Sequence, residues 1–232
     1  MKGDGVIGTM AEDGWRSPAA IIVRHAARYP VQSLNNSFVV ALTEQGKQDA
    51  FDFGSRLRQY RSVRLFHSPA VRCRETAERI AVGMQGNGTR TIGTQETWAL
   101  CAPYLKDERV LRVADDLGEG FMRVWFNGEL DEAWISRTTD AADTVLRPVL
   151  ERLSDPMGMG RLDVHVSHDW ELVLLREELL GMRYEDVGWV EYLDGLVIYR
   201  DGDGFLVRYR DRSAKVLCGD GGRIERPSKE LG

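Results

Sequence analysis

Long apolar runs are missing from this 232-residue sequence. No stretch of about 18 or more uninterrupted apolar residues suggests a membrane span. Residues Met1 to Ser17 are rich in glycine and acid, without the apolar segment of a signal peptide. Cysteine is scarce: Cys73, Cys101 and Cys218 are odd in number and form no CxxC pair. That excludes a disulfide framework and leads us to expect a reducing, cytoplasmic setting. A basic excess is absent too. The formal net charge of -5 argues against a general nucleic-acid binder, although arginines can still gather locally. Metal-ligand spacing is also lacking. His165 and His168 are three apart, and in a strand such positions face opposite sides, so they would chelate poorly. The Gly3 to Gly8 run follows no strand and opens no nucleotide loop.

What is present suits a globular enzyme-sized domain. The chain is 43% hydrophobic and 29% charged, enough for a core and for solubility. Residues 1–18 read as a flexible leader. Ala19 to Val23 is a short continuous apolar run, the pattern of a strand buried on both faces. Thr43 is a plausible N-cap for a helix whose Ala50, Phe53 and Leu57 share a face. Val63 to Phe66 is a second strand, Ala70 to Met84 a second helix, and Thr91 to Thr94 a brief strand. From about 98 to 154 the texture turns aromatic and helical, as in an insertion. Leu162 to Val166 resumes the sheet and Glu171 to Leu180 forms a helix closed by Gly181. Val190 to Tyr199 and Gly204 to Tyr209 form a hairpin about Asp201-Gly202-Asp203-Gly204. Residues 211–232 read as a loose polar tail. The order implies an α/β domain over 19–210 with a mainly parallel sheet.

Polar clusters stand at the ends of three of these strands: Arg24-His25-Ala26-Ala27-Arg28, His67-Ser68-Pro69 with Arg72, and Ser167-His168-Asp169. If the strands are parallel neighbours, those ends converge on one crevice. Arg24, Arg28 and Arg72 could grip a phosphoryl group through planar, multidentate donors. A neutral imidazole among them could attack phosphorus, and a carboxylic acid, first Asp169, could protonate the leaving oxygen.

At these residues the sequence resembles the histidine phosphatase (phosphoglycerate mutase-like) superfamily. Arg24-His25-Ala26-Ala27-Arg28-Tyr29-Pro30 is similar to the Arg-His-Gly-x-Arg-x-Pro of its acid-phosphatase branch. Leu42-Thr43-x-x-Gly46, the stretch Ser68 to Ala77 around Arg72, and Ser167-His168-Asp169 follow in the family's order. The resemblance covers about residues 19–82 and 160–199. It implies a three-layer sandwich with a mainly parallel central sheet flanked by helices. It implies that His25 forms a phosphohistidine, that Arg24, Arg28, Arg72 and His168 bind phosphoryl oxygens, and that Asp169 is the general acid. The mutase branch takes its acid from a mid-chain loop, where this chain has Glu96; Glu96 is therefore the second candidate. Ala26 replaces the usual glycine.

Plainer readings compete at single positions. His165 alternates with Val164 and Val166 and suits a satisfied sheet histidine, while His67 sits beside a turn where it could touch the pocket rim. Cys73-x5-Arg79 has the spacing of cysteine-dependent phosphatases, but the residues between look helical and offer an acidic lining. The aromatics of 98–134, Tyr104 and Trp125 among them, are core of the insertion or line the pocket mouth. The expected function is metal-independent, cofactor-free hydrolysis of a small phosphomonoester. A phosphoryl-transfer mutase and a non-catalytic phosphate-binding or interaction module are the alternatives. No nucleic-acid or membrane partner is expected, and a homo-oligomer is compatible with the sequence.

Overall fold

A computed structural model describes residues 1–31, 34–155, 160–219 and 224–226, with residues 34 and 35 in backbone only. Its elements in chain order are α1 (Asp4–Glu12), β1 (Ala19–Arg24), α2 (Glu44–Ser55), β2 (Ser62–His67), α3 (Val71–Gln85) and β3 (Arg90–Glu96). Then come α4 (Arg109–Leu117), α5 (Phe121–Phe126), α6 (Thr138–Ser154), β4 (Arg161–Ser167), α7 (Asp169–Leu180) and α8 (Tyr184–Val187). Strands β5 (Gly195–Asp201), β6 (Gly204–Tyr209), β7 (Arg212–Cys218) and β8 (Ile224–Glu225) complete the chain. Short 3-10 turns occupy Leu34–Val39 and Trp98–Leu100.

The strands form one sheet in the order β3-β2-β4-β1-β5-β6-β7-β8. β3, β2, β4 and β1 run parallel, and β5 to β8 continue antiparallel. Helices cover both faces, which is why β1 reads as an unbroken apolar run. Ala19, Ile21 and Val23 face a core shared with α1, α2 and α3, while Ala20 and Ile22 face the core of α4 to α7. The three-layer sandwich with a mainly parallel central sheet is the architecture the sequence implies, with its helical insertion in one outer layer. Because β2, β4 and β1 are parallel neighbours, His67, Ser167 and Arg24 end side by side.

The ends of the chain depart from expectation. Residues 4–12 are a helix rather than a flexible leader: Val6 and Met10 are fully buried, and α1 packs on β5 and β6. Its glycines concealed it, yet Gly5 fits closely, since a Cβ there would come 2.5 Å from Asp194 Oδ1 and displace that carboxylate. Nor are residues 211–219 and 224–226 loose, because β7 and β8 extend the sheet there; the rest of the expected tail lies outside the described residues. Residues 190–194 are a loop instead of the start of β5. Its position matters, for Leu193 and Asp194 hydrogen-bond the Arg24 backbone.

The polar residues of β4 are also buried. Asp163 has no exposure and accepts from Arg64 Nε at 2.8 Å and Nη2 at 2.7 Å, with Arg161 Nε 3.4 Å away. Removing one partner of a buried pair leaves an uncompensated charge. Asp163→Ala is expected to cost about 3–5 kcal/mol, read as a lowered midpoint in chemical denaturation.

Candidate active site

Three backbone hydrogen bonds place His25 and the two residues after it. Its own N–H donates to the Ser167 carbonyl at 3.0 Å, and the Ala26 N–H donates to Thr76 Oγ1 at 3.0 Å. Thr76 in turn donates to the Arg72 carbonyl at 2.7 Å, which links α3 to the loop after β1. The Ala27 carbonyl accepts from the Thr43 N–H at 3.0 Å, where Thr43 also caps α2 by accepting from Gly46 N. Gly46 lets α2 approach this loop: a Cβ there would lie 2.0 Å from the Ala27 oxygen. Ala26 is not among the described residues with positive φ, so its methyl group brings no backbone strain in place of glycine.

His25 is 2% exposed, and its Nδ1 lies 2.8 Å from the Ala26 carbonyl oxygen. A carbonyl only accepts, so Nδ1 carries the proton and Nε2 keeps its lone pair. Burial, then the charges of His168 and Arg72, push its pKa well below the usual histidine value. The imidazole is therefore neutral over the physiological range. His168 packs edge-on, with ring centroids 5.6 Å apart, and Tyr192 lies 5.7 Å away.

Arg72 donates to the Ser37 carbonyl and, at 2.8 Å, to His168 Nδ1. Since Arg can only donate, His168 carries its proton on Nε2, which donates to Ser68 Oγ at 2.8 Å. Burial and the Arg72 charge lower the His168 pKa. Arg72 Nε is closed to solvent and has no partner among the described residues. Such a donor suits an acceptor supplied from elsewhere.

His25, Arg28, Arg72, His168 and Asp169 line one cavity of about 540 Å³, in the usual range for small-ligand sites. Two expected site residues lie outside its lining. Arg24, expected on phosphoryl oxygens, pairs instead with Asp169 Oδ2 at 2.7 Å and donates to the Val190 carbonyl at 2.6 Å. Its guanidinium lies 4.3 Å from the Tyr192 ring centre. Glu96 stands exposed at the end of β3, the sheet edge, and not on the cavity wall. His168 lines the cavity, but both ring nitrogens are engaged by Arg72 and Ser68.

Asp169 begins α7. Burial raises its pKa, but the Arg24 charge and the hydrogen bond from Trp189 Nε1 at 3.1 Å outweigh that, and the net shift is downward. The helix N-terminus favours the carboxylate in the same sense. Glu171, which sequence reasoning treated only as helix, also lines the cavity. Burial pushes its pKa up to about 7, although Ala102 N and Tyr104 Oη donate to its Oε1 at 2.6 and 3.2 Å. Its signal was faint: a charged residue in the second position past His-Asp, on a helix that is otherwise buried.

The plainer readings sort as follows. His67 is buried, with Nδ1 2.9 Å from the Ser68 carbonyl, and does not line the cavity. His165 is buried against Phe66, ring centroids 4.7 Å apart, but neither nitrogen has a partner among the described residues, unlike the satisfied histidine expected. Cys73 sits inside α3 with its thiol pKa pushed up by burial, which is unsuited to a nucleophile. Tyr104 and Trp125 are core of the helical layer rather than pocket mouth. Among the described residues no cluster of three or more ligand-type side chains could hold a metal, and no helix is long and apolar enough to cross a membrane.

These buried histidines make stability depend on pH. Burial dominates the lowered pKa of His25, His165 and His168, so each binds its proton more readily unfolded. Their contribution is full above the unfolded pKa of about 6.5 and is lost as pH falls below it. Denaturation between about pH 7 and about pH 5 is expected to show stability falling by up to about 1.4 kcal/mol per pH unit for each histidine. A flat profile over that window would contradict the burial argument.

Known proteins bear on this geometry in three ways. Residues 20–98 match the model of the histidine phosphatase superfamily (branch 1). No curated protein sequence matches the chain. Among solved structures, the YhfR protein of Bacillus stearothermophilus is similar at TM-score 0.56 and 21% identity, over 82% of this chain and 95% of that one. Mycobacterial glucosyl-3-phosphoglycerate phosphatase is similar at TM-score 0.53 and 16% identity, over 82% and 89%. A mycobacterial hydrolase is similar at TM-score 0.54 and 15% identity, over 89% and 87%. At such identities the likeness is one of fold. The chain carries a histidine phosphatase superfamily (branch 1) signature over residues 20–98, on a phosphoglycerate mutase-like fold.

Proposed function

We propose that this protein is a phosphomonoester hydrolase that works through a phosphohistidine at His25, without a metal, on a small phosphorylated metabolite. The observation that carries the reading is the state of His25: buried, neutral, protonated on Nδ1, and on the wall of a cavity that also holds Arg28 and Arg72. A neutral imidazole with a free Nε2 is a nucleophile, and guanidinium groups supply positive charge that stabilises the negative charge on the equatorial oxygens in the transition state. The unpartnered Arg72 Nε supports that role, and His168 orients Arg72.

In the first step His25 Nε2 attacks phosphorus and the P–O bond to the leaving group breaks. The departing oxygen takes a proton from the Asp169 carboxyl. In the second step water attacks the phosphohistidine, Asp169 recovers the proton, and inorganic phosphate leaves. Asp169 is a carboxylate while Arg24 holds it. Phosphoryl oxygens in the cavity would bring negative charge beside Asp169, oppose the Arg24 charge and let the carboxyl take up a proton. This makes the reaction acid-favoured, as the His168-Asp169 pair of an acid-phosphatase-like enzyme suggests. That pair lies outside the span matched by branch 1.

His25→Ala is expected to reduce turnover of nitrophenyl phosphate to background, and the native protein to retain labelled phosphate on histidine after an alkaline quench. Asp169→Asn should lower kcat for an alkyl phosphate by about 10²–10⁴ and for nitrophenyl phosphate by much less, since that oxygen needs no proton. For the native enzyme kcat/KM with an alkyl phosphate should rise as pH falls from about 8 to about 6, because more Asp169 is protonated while His25 stays neutral. A fully active His25→Ala protein would end the proposal.

A further inference from the structure

The wall of the cavity beyond the phosphoryl groups is built from Phe38, Trp98, Pro103, Leu105, Leu111 and Trp170. Phe38 is 41% and Trp98 63% exposed, yet the two rings meet with centroids 5.9 Å apart. Two aromatic rings left open to water beside a cavity mark a surface meant for contact. Charge on the same wall is one-sided. Apart from Arg28 and Arg72, no lysine or arginine lines the cavity among the described residues, and its acidic groups are Asp169 and Glu171. Glu171 Oε1 is already taken by Ala102 and Tyr104, and Oε2 is closed to solvent.

An alcohol with a second carboxylate or phosphate would find no further cation there and would face the Asp169 carboxylate. A polyol would give up its hydrogen bonds to water for few in return. An aromatic or otherwise apolar alcohol loses nothing polar and gains contact with flat rings. We propose that the substrate is a phosphate monoester of an uncharged, apolar alcohol, with the ring or chain of its leaving group held against Phe38, Trp98 and Trp170. The inference rests on reading the site as a phosphomonoester hydrolase. It names the leaving group that reading left open.

The test compares kcat/KM for naphthyl phosphate, glycerol phosphate and phosphoglycerate in the native protein, Trp98→Ala and Leu111→Lys. Naphthyl phosphate is expected to be preferred by at least about tenfold over the other two, the scale on which apolar pockets discriminate. Trp98→Ala should shrink that ratio several-fold, and Leu111→Lys should shift it toward phosphoglycerate. Glycerol phosphate or phosphoglycerate turned over as well as naphthyl phosphate overturns the inference and leaves the hydrolase reading standing. If no ester is hydrolysed, calorimetric titration with a naphthylmethyl phosphonate and a phosphonopropionate decides the matter. Tighter naphthyl binding then upholds the pocket chemistry while the hydrolase reading fails, and equal or weaker binding overturns both.

Discussion

Burying an imidazole beside guanidinium groups is the constraint around which this molecule is arranged. Left in water, a histidine with a pKa near the ordinary value would be partly protonated and a poor nucleophile. Desolvation and the nearby cations remove that proton from His25, and the Ala26 carbonyl decides which nitrogen keeps the other. The arrangement demands a loop that cannot drift. Hydrogen bonds from β4, α2 and α3 hold residues 25–27, and the absence of a side chain at Gly46 allows α2 to close on them. The motif residues Thr43, Gly46 and Thr76 thus act on the backbone around His25 rather than on a ligand.

Much of this was legible because it is local. A buried strand that ends in charge, a capped helix and a second strand with its own polar end are patterns of a few residues each. Parallel neighbours then bring the ends together. What escaped depends on distance. Nothing near Arg24 in the chain shows that its charge will be met by Asp169 across two adjoining strands. Glu96 occupies the right place in sequence, but β3 is the sheet edge and the chain leaves it exposed there. Glu171 was hidden by a buried helix whose apolar residues dominate its pattern. The first helix was hidden by glycines, although the Val6, Ile7 and Met10 spacing supplies a buried face.

The two carboxyls on the cavity wall illustrate how environment separates similar groups. Asp169 is half-buried and held as a carboxylate by Arg24, Trp189 and the start of α7, whereas Glu171, with two neutral donors and no cation, is pushed toward its acid form. Arg24 thus pairs with Asp169 instead of lining the cavity.

Chemistry and selectivity come from different parts of the chain. His25, Arg28, Arg72, His168 and Asp169 sit at strand ends and in the helices that follow β2 and β4. Trp98, Pro103, Leu105 and Leu111 come from the segment between β3 and α5, and Phe38 from the loop before α2. The first group is positioned by sheet register, where a shift of one residue would move every side chain to the other face. The second hangs on turns and short helices that the sheet does not constrain, so its composition can change without disturbing the nucleophile. Most of the apolar, cation-poor wall thus comes from the inserted segment, with Phe38 and Trp170 added from the loop before α2 and from α7. That independence explains why the residues at the strand ends are silent about what the rest of the cavity binds.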